Sequence, residues 1–133
     1  MGGIQRFGSG GAYESSVGYS RVVRAGPLVV VSGCTALGAD GSVVGGGDML
    51  GQAREACARV LDALATAGAA SADVIQTRVY VTDISRREDV GRAHAEAFGS
   101  APPATAMVEV SALIDPRLLV EVEATAWLAA PDD

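Results

Sequence analysis

The sequence has no apolar run approaching the roughly 18 residues that a bilayer-spanning helix needs, so a membrane-spanning protein is excluded. Aromatic side chains make up only 5% of the chain, and the core must therefore be built from Val, Leu, Ile and Ala. The two cysteines, Cys34 and Cys57, are too few for a disulfide framework. The single histidine, His94, has no Ser/Asp or Cys companion with which to define a triad. No Cys/His cluster has the spacing of metal ligands, so no metal site is expected. Basic runs are also missing. Ten basic side chains stand against sixteen acidic ones, for a net charge of −6. Nucleic-acid binding draws much of its affinity from neutralised phosphates, and this balance disfavours it. Arg21 with Arg24, and Arg86 with Arg87, read as short solvated surface pairs. Met1 to Gly11 is glycine-rich and lacks the basic start and apolar stretch of an export signal. A cytoplasmic protein with reduced thiols is the expectation.

What is present describes one globular domain over residues 1–133, with 49% hydrophobic and 20% charged residues. Ile4–Phe7 reads as a short edge strand, and Gly8 to Ser16 as a loop. Tyr19–Arg24 and the β-branched Leu28–Ser32 resemble a hairpin broken by Gly26-Pro27. A third short strand is expected at Ser42–Val44, after the Asp40-Gly41 turn. Asp48 caps a helix to about Ala67, with Leu50, Ala53, Cys57, Val60, Leu61 and Leu64 as its apolar stripe. Val74–Val81 is the clearest strand. Ser85 to Glu88 has the pattern of a capping box opening a second helix to about Phe98. Strands at Thr105–Val110 and Leu118–Leu128 complete an α+β chain with a mixed sheet and two helices covering one face. The other face is expected to carry Arg78, Tyr80, Met107, Glu109, Glu121 and Trp127, a mixture best buried against copies of itself.

Few residues suggest chemistry. His94 reads as a surface residue of the second helix, and Gly45–Gly47 as a flexible lead-in to the first, since Asp48 would repel an anion there. Cys34 has no visible base and reads as a small hydrophobe. Glu121 and Glu123 lie two apart on a strand and so share a face. Side by side, each disfavours ionisation of the other, which suits acid/base work, although a polar face paired with Arg78 is the plainer reading.

Taken together, several segments resemble the RidA (YjgF) family over nearly the whole chain. They are Gly18-Tyr19-Ser20, Val30–Gly33, the helix with Gln52 and Ala53, Asp73–Asp83, Pro103-Ala104, Val108–Val110 and Val120–Ala124. The resemblance implies a chorismate-mutase-like fold (bacillus type) and a homotrimer with small-molecule clefts between subunits. It also implies cofactor-free hydrolysis of reactive enamines and imines to 2-oxo acids and ammonia. It points to Glu121 as the residue that positions water, with Tyr19 and Ser32 holding the ligand. Gly33, Cys34, Thr105, Ala106 and Met107 would shape the pocket. The family's arginine after Pro-Ala, which grips the substrate carboxylate, is here Thr105. One hydroxyl does not replace a bidentate, permanently charged fork. Arg92, where the family often has Asn, is a candidate for the missing charge.

The leading expectation is thus a trimeric, deaminase-like hydrolase of a reactive imine, enamine or related small molecule, one without a carboxylate for the missing arginine to hold. A non-catalytic ligand sensor or chaperone-like trimer using the same clefts is the alternative. RNA cleavage or translation inhibition is a third, which the acidic charge opposes.

Overall fold

Valine, threonine and isoleucine crowd the segments that form the sheet, and alanine the helix faces that cover it. The computed structural model describes residues 3–129. Six strands pair in one sheet: β1 (Ile4–Phe7), β2 (Val22–Ala25), β3 (Leu28–Cys34), β4 (Val74–Val81), β5 (Ala104–Glu109) and β6 (Val120–Trp127). Their order is β1-β2-β3-β6-β4-β5. Every pairing is antiparallel except β4 with β5. The last strand in sequence therefore lies inside the sheet and joins its two halves. The α+β class, the mixed sheet and the two covering helices are as the sequence implies.

Helix α1 (Met49–Thr66) is capped by Asp48, whose carboxylate accepts from the Gly51 N–H at 3.1 Å. It buries Met49, Ala53, Ala56, Cys57, Val60, Ala63 and Leu64 against the sheet, while Leu50 and Leu61 are only half-buried at the rim of the stripe. Helix α2 (Arg87–Phe98) buries Val90, Ala93 and Phe98. It starts differently from the capping-box expectation. Asp83 accepts from both the Ser85 N–H and its hydroxyl, at 3.0 and 2.6 Å. That local turn consumes the serine, and α2 begins at Arg87 after a short 3₁₀ turn.

Two further expectations are corrected. Residues 42–44 form no strand, only one bridge between Leu37 and Val43. Gly41 and Gly45, with φ of 85° and 86°, bracket the segment in left-handed turns that an extended run does not survive. Met107 and Glu109 do not share the outward face. In the parallel pair they lie beside Val79 and Val81, both buried under the helices, so they belong to the helix side. Arg78, Tyr80, Glu121 and Trp127 do alternate with buried neighbours and face outward. Leu28 and Trp127 are direct partners on that face, beside Val30, which is 43% exposed.

The fold also turns on one buried amide. Gln52 is fully buried, and its side chain donates to the carbonyls of Gly46 and Arg117 at 2.6 and 2.9 Å. Its amide oxygen accepts from the Leu119 N–H at 2.9 Å. It therefore ties the glycine turn before α1 to the loop that feeds β6. Gln52→Leu removes all three hydrogen bonds at once, and urea denaturation is expected to read a loss of about 2–4 kcal/mol.

Candidate functional site

The cleft begins where β3 and β6 slip out of register. Between Val31 and Cys34, Ser32 and Gly33 together oppose Glu123, a bulge that bends the end of β3. Gly33 carries no side chain there, and Glu121 uses the space. A Cβ on Gly33 would stand 1.9 Å from the Glu121 Oε2 atom. The carboxyl lies against that backbone on the wall of a concavity of about 800 Å³. The other walls are the segment from Gly8 to Val17, the loop after Cys34, Ile114, and Arg59, Asp62 and Thr66 of α1.

Tyr19, Ser32, Gly33, Cys34 and Glu121 all line this one cleft. Thr105, Ala106 and Met107 lie on β5, at the far edge of the sheet, and Arg92 on the solvent side of α2, paired with Glu96 at 3.6 Å. Within one subunit, five of the sequence-selected residues thus share the cleft, while Arg92, Thr105, Ala106 and Met107 lie outside it.

Burial pushes the Glu121 carboxyl above the usual carboxylate range, and the neighbouring Glu123 adds to this, while Arg21 opposes it. Glu123 is itself held by the Tyr80 hydroxyl, which donates to it at 2.6 Å, with Arg78 at 3.7 Å. Burial likewise raises the Cys34 thiol, with only partial opposition from Arg21, so the sulfur stays protonated and is no ready nucleophile. The Ser32 hydroxyl donates to the Ser20 carbonyl at 2.6 Å. Among the described residues, no group of three or more His, Cys, Asp or Glu is placed to hold a metal ion.

Three residues were misjudged from sequence. Arg21 is not solvated surface: its side chain is 14% exposed and lines the cleft. It donates to the Gly33 carbonyl at 2.6 Å, to the Cys34 sulfur at 3.5 Å and to the Tyr19 hydroxyl oxygen at 3.1 Å. Arg24 is also engaged, donating to the Ala67 carbonyl at 2.9 Å. His94 turns toward the sheet, half-buried, with Nε2 2.7 Å from the hydroxyl of buried Thr77 and its ring on Phe98. Thr77 in turn donates to Thr105 at 2.8 Å. The only sequence hint was position: Arg21 stands two residues after Tyr19 at the entry to a strand.

The raised Glu121 pKa has a testable sign. Its folded value exceeds the unfolded one of about 4.3, so its contribution to stability is complete below the unfolded value and lost as pH rises through the folded one. Glu121→Gln removes this dependence. Its melting temperature is expected to exceed the wild type's at about pH 7.5 and to converge with it toward about pH 4, as read by calorimetry.

Comparison with known proteins bears on the family and the fold. A family model described as endoribonuclease L-PSP matches residues 10–128. A Streptomyces coelicolor protein, named only as uncharacterised, is 39% identical over 129 residues, 97% of this chain and 96% of its own. A RutC family protein of Pyrococcus horikoshii is 32% identical over 82% of this chain and 86% of its own. Among solved structures, Rv2704 of Mycobacterium tuberculosis, a member of the YjgF/YER057c/UK114 family, is 52% identical with a TM-score of 0.86. The match covers 95% of this chain and all of that one. Among the described residues, no helix is long and apolar enough to cross a membrane. With the family model spanning most of the chain and the relatives matching nearly end to end, this protein belongs to the YjgF/RidA family.

Proposed function

We propose that this chain is a cofactor-independent hydrolase of small imines or enamines, working as a homotrimer in clefts that a neighbouring copy completes. The observation that carries the reading is Glu121, a carboxyl with a raised pKa on the wall of a cleft, fitted against a glycine that leaves it room. In such a site Glu121 takes a proton from water as the water oxygen attacks the C=N carbon. The nitrogen is protonated, the C–N bond of the carbinolamine breaks, and a carbonyl compound and ammonia leave. One water is consumed and nothing is oxidised or reduced. An enamine enters the same route once protonated at carbon. The Tyr19 hydroxyl oxygen accepts from Arg21, so its own proton is free to donate to the ligand. A covalent route through a lysine imine is closed by composition, because the chain has no lysine.

Two observations support self-association. Glu121 faces outward from the interior strand β6, whereas Thr105 on the edge strand β5 pairs with buried Thr77 on the helix side, so a ligand touching both would have to lie between copies. The outward face also exposes Leu28, Val30 and Trp127 as one apolar strip. The endoribonuclease description is that of the family model. A net charge of −6, and a cleft lined by Asp62, Glu121 and Glu123, suit an RNA backbone poorly. Thr105 in place of arginine favours one competing reading, a sensor that binds in the same cleft without turnover.

Ammonia release from a panel of freshly generated imines tests the hydrolase. Glu121→Gln is expected to lower kcat by about two to four decades while the sedimentation profile stays unchanged. A ligand that binds with no turnover in the wild type makes the protein a sensor. Sedimentation at micromolar concentration is expected to show a trimer, and Val30→Asp to shift it to monomer. A wild-type monomer removes the shared cleft altogether.

A further inference from the structure

The cleft contains two cations, Arg21 and Arg59, and they differ in what remains free. Arg59 has its Nε bonded to Glu55 at 2.8 Å and an Nη1 bond to the Leu37 carbonyl. The side of its guanidinium that would receive a carboxylate is already taken. Arg21 is held from the other side. Its Nη1 serves the Gly33 carbonyl and the Cys34 sulfur, and one Nη2 proton serves Tyr19. A guanidinium has five N–H groups. The Nε–H and one Nη2–H donate to no partner among the described residues, and Nε with Nη2 are the adjacent nitrogens that form a bidentate fork.

That fork faces Glu14, which does not fill it. The Glu14 carboxylate stands 3.6 Å from Nε, beyond hydrogen-bond length. It is satisfied by its own loop instead, accepting from the Ser9 N–H and hydroxyl at 3.0 and 2.5 Å and from the Gly11 N–H at 3.0 Å. Burial would raise its pKa, yet these bonds and Arg21 together hold it below the ordinary range. Glu14 thus stays ionised beside a fork it only leans on.

We propose that Arg21 is the anion anchor of this cleft and that the ligand carries a carboxylate, docked on the Nε/Nη2 fork in place of the loose Glu14 contact. This assignment rests on the hydrolase reading and moves its charge-holding contact to a residue of β2's entry, on the same cleft as Glu121. Thr105, on the edge strand β5 outside this cleft, then marks a change in where the charge comes from rather than its loss. Glu123 is already engaged by Tyr80 and Arg78. Glu14 becomes the internal competitor of the ligand, which links occupancy to the seating of the Gly8–Val17 wall.

Calorimetric titration with 2-oxobutanoate, a stable carboxylate probe, and with its amide, 2-oxobutanamide, tests the anchor without any turnover. The wild type is expected to bind the acid roughly thirtyfold or more tightly than the amide, as expected for a desolvated charged contact. Arg21→Gln is expected to erase that ratio, and Arg21→Lys to keep part of it. Because Arg21 also braces Gly33 and Tyr19, Glu14→Gln supplies the second arm. Removing the competitor is expected to tighten the acid several-fold and leave the amide unchanged. Equal affinity for acid and amide in the wild type, or an acid-over-amide ratio that survives Arg21→Gln, overturns the proposal. A preserved ratio with no ammonia release from any imine refutes the hydrolase reading alone. Equal turnover of charged and neutral imines, with no acid preference, refutes the anchor alone.

Discussion

The insertion of β6 between β3 and β4 is the contact on which the rest depends. Without it the sheet is two separate pieces, β1-β2-β3 and β4-β5, neither with a covered edge on that side. With it, Val120, Val122, Ala124 and Ala126 complete the apolar floor under α1, and Glu121 and Glu123 are turned to the opposite face by the two-residue repeat of a strand. The same alternation that builds the core therefore delivers the carboxylates to the cleft. The bulge at Ser32–Gly33 is the compensating adjustment, letting a strand that pairs tightly along Leu28–Val31 open just where Glu121 needs space.

The cleft concentrates groups that cost stability. Glu121 is held where its charge is poorly solvated, Arg21 is largely removed from water, and Cys34 is buried beside it. Arg21 offsets part of that cost by serving three neighbours at once. Its bonds to Gly33 and Tyr19 also lock the two segments whose relative position defines the cleft mouth. A charged side chain here acts as a structural brace on one side and presents unsatisfied donors on the other.

Much of the fold was legible because the signals were periodic. Val74–Val81 is a strand over the range expected, and α1 with its Asp48 cap lies within a residue of its expected end. Tyr19, Ser32, Gly33, Cys34 and Glu121 were selected from sequence and do share one cleft. What escaped was set by tertiary context. Arg21 and Arg24 follow the spacing of a polar strand edge, and only the arrival of β3, and of the residues after α1, converts them to half-buried donors. The facing of β5 was misread because Ala104–Glu109 shows no alternation of apolar and polar residues. Its parallel partner, not its own pattern, decides which side is which. His94 lies on a helix whose polar neighbours suggested solvent, and its buried partner Thr77 is contributed by a different element.

The central place of β6 also orders events during synthesis. A ribosome that has released β3 and β4 has produced two sheet edges whose backbone donors and acceptors await a strand not yet translated. Residues 34 and 122 are paired in the finished sheet, so closure spans most of the chain and is slow relative to local helix formation. During that interval the nascent chain displays the kind of open, valine-rich edges that pair with other chains. The cleft has no existence until the gap is filled, because its acidic wall arrives with the strand that fills it.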